Sequence, residues 1–272
     1  MIEEIVPATV ACADRFDDAD PVSPFPQEKA VVAGSVDERR RSFHTARHCA
    51  RIAMAQLGVP AAPVLPGERG EPLWPTGTVG SMTHCAGYRA AVLATAGDVL
   101  AVGIDAEPHR PLPDGVLGAV SLPQERGMLA ERAAQRPEIH WDRLLFSAKE
   151  SVYKVWFPLN RSWLDFEQAD IVLDLDGTFT ARLLVPEGLR VNGDRVGLLS
   201  GRWLVGAGLG LTAITLEAPG ARHTYRSTGE PTPVPDDRAP WRTRRTTEVV
   251  PATPSAGTGA RSARGGVGPP PK

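Results

Sequence analysis

The segment Asp98-Val99-Leu100-Ala101-Val102-Gly103-Ile104-Asp105-Ala106-Glu107 constrains this chain more than any other. It is mostly apolar through Ile104 and abruptly acidic after it, which reads as a strand buried up to its last residues. Side chains alternate along a strand, so Asp105 and Glu107 share a side. Two carboxylates held together repel unless a cation or a proton lies between them. A hard ion such as Mg²⁺ suits that place, because it takes oxygen ligands, keeps waters and binds substrate phosphates. An ordinary surface strand end also explains Asp-x-Glu, so the motif needs support from elsewhere.

Two further elements supply it. Residues 141–157 have helical spacing, and Pro158 is expected to stop them. Within them Glu150 and Lys154 are four apart and share a face. An exposed Glu–Lys pair of this kind contributes only a few tenths of a kcal/mol. The surrounding segment is apolar and aromatic, however, and charges in such company tend to be partnered. The other element is Gly80-Ser81-Met82-Thr83-His84, a hydroxyl followed by a histidine near a glycine-rich loop, which suits phosphate. His84 and Cys85 are not a nucleophilic dyad, since strand neighbours point to opposite faces.

The chain has 272 residues, is 42% hydrophobic and carries a formal charge of -2, enough for one large domain or two small ones. No apolar run reaches the roughly 20 residues of a membrane span. The first residues lack a basic start and an apolar core, so no secretion signal is read. Three cysteines without paired spacing fit a reducing compartment, and a cytoplasmic location is expected. From Gly220 onward nine lysines and arginines face four acids in a Pro/Gly/Ser/Thr-rich stretch without apolar periodicity. Residues 220–272 are therefore expected to be a disordered basic tail, solvated and not bound to nucleic acid.

Residues 36–57 read as a helix ended by Gly58 and Pro60, and 60–77 as a Pro/Gly-rich loop. Strands are expected on both sides of Gly87 and at 98–107, a hairpin at Asp176-Gly177, and a last strand pair from Gly201. Helix, strands, helix, strands is an α+β order with two halves of similar make-up.

The ordered set GSMTH (80–84), VGIDAE (102–107) and FSAKESVYK (146–154) resembles the Sfp/EntD-type 4'-phosphopantetheinyl transferases, and its actinobacterial (mycobacterial) branch in particular. The resemblance covers about residues 1–218. It implies a fold of two α/β halves, 1–100 and 101–219, related by a pseudo-twofold and active as a monomer. Coenzyme A would lie in the cleft between them and give its phosphopantetheine arm to a serine of an apo acyl or peptidyl carrier protein. This is a holo-acyl-carrier-protein synthase activity that releases 3',5'-ADP. Asp105, Glu107 and Glu150 match the family's Mg²⁺ ligands, with Mn²⁺ as an alternative ion. Asp105, Glu150 and Lys154 form the catalytic set, Glu150 being the base for the carrier serine and Lys154 the partner of the pyrophosphate. Arg39, Arg47, Thr83 and His84 match coenzyme A contacts. Lys149 matches a lysine that contacts phosphate or orients Glu150. Relatives carry a lysine where this chain has Pro66, and Arg69 is the candidate replacement. Residues 111–129, with Val116, Leu117 and Leu122 expected at the surface, are a candidate carrier-docking segment.

Three other readings compete with this one. Asp174-Leu175-Asp176-Gly177-Thr178 matches a haloacid-dehalogenase-type phosphatase signature, but too little chain follows it, and no lysine occurs between Lys154 and Lys272. His44 and His48 have zinc spacing on a helix, among arginines that would repel a cation. A non-catalytic module binding carriers or nucleotides would not require all three carboxylates and Lys154.

Overall fold

The computed structural model describes residues 1–18, 24–186, 188–191 and 193–219. The expected basic tail lies outside the described residues. β1 (Ala11–Arg15) and α1 (Pro26–Val31) precede the long helix α2 (Asp37–Gln56). Gly58 follows α2 with φ 68°, a left-handed position that glycine reaches without strain. The 60–77 segment contains a short hairpin, β2 (Leu65–Pro66) with β3 (Pro72–Leu73), closed by Gly67 N–H to the Glu71 carbonyl at 2.7 Å. β4 (Thr78–Cys85) and β5 (Tyr88–Thr95) form the hairpin about Gly87, and β6 (Val99–Pro108) is the strand that ends in Asp105 and Glu107.

Beyond β6 come α3 (Val116–Val120), α4 (Pro123–Gln135) and α5 (Trp141–Asn160). The chain then supplies β7 (Ala169–Leu173), β8 (Thr178–Leu183), β9 (Leu189–Val191), β10 (Asp194–Val196), β11 (Leu198–Gly206) and β12 (Leu209–Glu217). Pro158 does not stop α5. Its missing N–H falls in the last turn, and the helix ends three residues later at left-handed Arg161, whose N–H bonds the Phe157 carbonyl. So late a proline leaves the preceding hydrogen bonds intact.

Two antiparallel sheets carry the fold, one ordered β1-β5-β4 and the other β6-β12-β11-β8-β7. Alternation along the strands gives each sheet two apolar faces. Ala91 and Leu93 of β5 pack under Cys49, Ala50, Ala53 and Met54 of α2. Ala90 and Val92, on the other face, join Val102, Ile104, Ala106, Leu211 and Ala213 in a core between the sheets. The far face of the second sheet, through Ile171, Phe179, Ala181 and Ile214, buries Leu144, Leu145, Ala148 and Val152 of α5. The order is helix, sheet, sheet, helix, with β6 covered on both faces. That burial explains its unbroken apolar run.

Gly103 sets how closely α5 approaches. A Cβ there would be driven into the Ser151 carbonyl oxygen and would meet Cγ2 of Val155 at 2.9 Å. Three hydroxyls fix the same contact from the other strand. Thr212, fully buried opposite Asp105 in the β6–β12 register, meets Ser147 Oγ at 2.9 Å and Ser151 Oγ at 2.7 Å. Among the described residues no helix is long and apolar enough to cross a membrane.

Candidate active site

Asp105 and Glu107 are met by Lys154 and Arg143 where α5 crosses the end of β6. Most of α5 is buried, and its partly exposed positions include Phe146, Glu150, Tyr153 and Lys154, spaced to make one narrow stripe. Lys154 reaches from this stripe to β6. Its Nζ donates to the Ile104 carbonyl at 2.8 Å and to Asp105 Oδ1 at 2.9 Å. Asp105 has no solvent exposure and Glu107 only 7%, so both require a nearby cation. Glu107 finds Arg143, whose Nη1 stands 3.3 Å from Oε2. Arg143 also bonds the carbonyls of Arg110 and Pro111, which anchors the chain leaving β6. Spacing could have suggested Arg143, two turns before Glu150 on the same helix, but the sequence reading did not select it.

β4 approaches the other edge of β6 with its hydroxyls. Ser81 Oγ accepts the Ile104 N–H and Thr83 Oγ1 accepts the Ala106 N–H, each at 3.1 Å. Thr83 also donates to Asp105 Oδ1 at 3.2 Å. His84 takes the opposite side of β4, the side on which Met82 packs toward α2. Thr83 and His84 thus lie on opposite sides of β4, Thr83 toward Asp105 and His84 on the Met82 side.

On α2, Arg39 is exposed and Arg47 is buried. The Arg47 guanidinium bonds the Val64 carbonyl at 2.8 Å and lies 3.2 Å from the Phe43 ring centre. Burial brings its pKa down to about 10, against the pull of Glu28, and it stays cationic at neutral pH. Arg69 lines a cavity of about 380 Å³ with Glu71, Leu73, Phe157 and Arg161. The hairpin around it is tied to the end of α5 by the Glu71–Arg161 ion pair at 2.5 Å. Burial raises the Tyr153 phenol, Arg69 opposes it, and Glu150 and Glu71 add to it, so these three charges act on one stripe residue of α5.

Lys149 is placed differently. Its ammonium is buried, 2.8 Å from Glu125 of α4 and 2.7 Å from the Phe166 carbonyl. Burial lowers its pKa while Glu125 raises it, and in this arrangement it is a structural cation. In the candidate docking segment Val116, Leu117 and Leu122 are half-buried, not at the surface as expected, and Leu117 packs on the core between α5 and the second sheet.

The competing motifs resolve into ordinary structure. Asp174 sits half-exposed beside Arg132, and Asp176 accepts the N–H and hydroxyl of Thr178 in the turn at Gly177, whose φ is 87°. Burial lowers the His44 pKa, Glu28 opposes it, and Arg47, Arg51 and Lys29 add to the lowering.

Among the described residues no three His, Cys, Asp or Glu side chains already stand as a metal cage. The donor chemistry of Asp105 and Glu107 nevertheless fits a hard divalent ion. They are oxygen donors on one side of a strand, buried, and balanced here by Lys154 and Arg143.

The chain is thus an α+β protein of two antiparallel sheets, with buried carboxylates and a lysine where a strand meets a long helix. Its family follows from likeness to known proteins. Residues 27–94 match the 4'-phosphopantetheinyl transferase N-terminal domain, and 101–194 the 4'-phosphopantetheinyl transferase superfamily. The chain is 56% identical to the 4'-phosphopantetheinyl transferase Svp of Streptomyces mobaraensis, over 80% of this chain and 90% of that one. It is 50% identical to PptT of Mycobacterium tuberculosis, over 79% of this chain and 98% of the relative. A more distant likeness, 35% identity over 45% of this chain and half of the relative, is to enterobactin synthase component D of Salmonella typhi. The chain belongs to the 4'-phosphopantetheinyl transferase family and is an enzyme of that family.

Proposed function

We propose that this enzyme moves the 4'-phosphopantetheine arm of coenzyme A to a serine of apo acyl or peptidyl carrier proteins and releases 3',5'-ADP. The carrier serine oxygen bonds to the phosphorus that bears the pantetheine, and the pyrophosphate bond to the adenosine side breaks. Glu150, on the half-exposed stripe of α5, takes the serine proton directly or through water. Lys154 stabilises the leaving phosphate, and Arg39, Arg47, Arg69 and His84 hold the phosphates of coenzyme A. Asp105, Glu107 and Glu150 would hold Mg²⁺ or Mn²⁺, which supplies charge neutralisation at the pyrophosphate.

The meeting of Lys154 with buried Asp105 carries this reading, because it joins two separate motifs in one site. In the same reading the halves 1–100 and 101–219 are related by a pseudo-twofold with coenzyme A in the cleft. The enzyme works as a cytoplasmic monomer, and residues 111–129 receive the carrier. The match to an enterobactin synthase component favours siderophore-type carriers among the substrates. The test is release of 3',5'-ADP from coenzyme A. Release should require both apo-carrier and Mg²⁺ and should vanish with EDTA or in Glu150→Gln. Undiminished release with Glu150→Gln would remove Glu150 from the mechanism, and release without any carrier would make the enzyme a hydrolase.

A further inference from the structure

Glu28 of α1 is a carboxylate with no solvent exposure and no part in the proposed reaction. A buried carboxylate needs partners, and three separate segments supply them. Arg51 Nη1 of α2 lies 3.2 Å from Oε1 and 3.0 Å from Oε2. The Phe25 N–H, at the start of α1, donates to Oε2 at 3.2 Å. The Val64 N–H, 36 residues further along the chain, donates to Oε1 at 3.0 Å.

Val64 leads from Glu28 to the proposed site. It is fully buried just ahead of β2, in a stretch where Pro63 and Pro66 have no N–H to give. Its carbonyl accepts Arg47 Nε at 2.8 Å, so an anion holds its N–H and a cation its carbonyl. Arg47 Nη1 also bonds the Phe43 carbonyl at 3.4 Å. A guanidinium is planar, so fixing Nε and Nη1 fixes the direction of every donor it has. Arg47 and Arg51, four apart, share a face of α2, where like charges repel. Glu28 offsets that repulsion and opposes the burial-driven fall in the Arg47 pKa.

We infer that Glu28 is a positioning residue, which aims Arg47 at the coenzyme A phosphates through the backbone of Val64. The inference rests on the proposed phosphate contact of Arg47. By holding Val64 and Arg51 at once, Glu28 fixes the carbonyl to which Arg47 is anchored.

Glu125 provides the matched control. Like Glu28 it is buried in the first turn of a helix, takes the N–H at that helix's start, and holds a distant N–H and a cation. Its partners are Ile171 and Lys149, not residues of α2. Binding of 3',5'-ADP, the product of the proposed transfer, is measured by calorimetry in EDTA below the melting temperature of each protein. The proteins are wild type, Glu28→Gln, Arg47→Met, the double variant and Glu125→Gln, with thermal melts recorded for all five. Residues of one hydrogen-bond network couple by about 2- to 150-fold, and Glu28→Gln should weaken 3',5'-ADP by about tenfold. In the Arg47→Met background the same change should have no further effect. Glu125→Gln should lose stability and keep the wild-type affinity. Where Glu28→Gln does not fold, Glu28→Asp, which keeps the charge but withdraws it from Val64, serves in its place. Equal losses from the Glu28 change in both backgrounds would show that it does not act through Arg47 and would overturn the inference. So would an unchanged affinity in the Glu28 variant, or an equal loss in Glu125→Gln. Wild-type affinity in Arg47→Met is a separate outcome, which would remove the phosphate contact of Arg47 and this inference with it.

Discussion

The ammonium of Lys154 stands 2.9 Å from Oδ1 of Asp105, a carboxylate with no solvent exposure. The two charges are paired in a region where an unpaired charge is costly. Lys154→Met should therefore destabilise the fold by about 3 kcal/mol in urea titrations, since it strands a buried carboxylate. Adding Asp105→Asn should recover part of that stability without recovering transfer. Recovery of both would reduce the pair to scaffolding.

The close approach of α5 to β6 at Gly103 makes a second prediction. Gly103→Ala forces a methyl group against the Ser151 carbonyl and Val155. Because backbone lies in the way, the helix must shift, at a cost of about 2–3 kcal/mol. Transfer should fall further than stability accounts for, since the same helix carries Glu150 and Lys154. A variant with wild-type stability and activity would show that the helix has room here.

The pairing of Lys149 with buried Glu125 predicts a structural role for this lysine. Lys149→Met leaves Glu125, 1% exposed, without its cation, and should cost about 3 kcal/mol in denaturant unfolding. Coenzyme A affinity, measured by calorimetry below the melting temperature, should be unchanged. Weaker coenzyme A binding at undiminished stability would return Lys149 to the nucleotide.

His44 gives a pH dependence with a definite sign. Burial lowers its folded pKa, reinforced by Arg47, Arg51 and Lys29 and opposed by Glu28. On acidification through the ordinary histidine value of about 6.5, the unfolded chain binds the proton first, so the His44 contribution to stability falls with pH. His44→Gln abolishes that contribution. Melting temperatures of wild type and variant should keep a constant offset at alkaline pH, and the variant should gain relative to wild type in acid. An offset constant through acid would show that His44 titrates normally.

Much of the fold was legible because its signals are local. Apolar spacing marks α2 and α5, Gly87 and Asp176-Gly177 mark hairpins, and the run into Ile104 marks a doubly covered strand. Pro158 misled because its effect depends on how much helix follows it, which periodicity does not report. The β2–β3 hairpin is two residues per strand, too short for any alternation to register. Within the site, the motifs named the carboxylates and Lys154. Alternation puts Thr83 and His84 on opposite sides of β4, but the motifs could not tell which neighbour covers each side. The Lys149–Glu125 pair was not legible for a similar reason, as Glu125 is distant in sequence and reaches Lys149 only through the packing of α4 on α5.

The most direct measurement is the intact mass of a purified apo carrier protein after incubation with this enzyme, coenzyme A and Mg²⁺. The proposed reaction predicts a gain equal to one phosphopantetheine arm on the carrier serine, absent when that serine is replaced and absent with Glu150→Gln enzyme. An unchanged carrier mass across a panel of acyl and peptidyl carriers, with folded enzyme and intact coenzyme A, would contradict it.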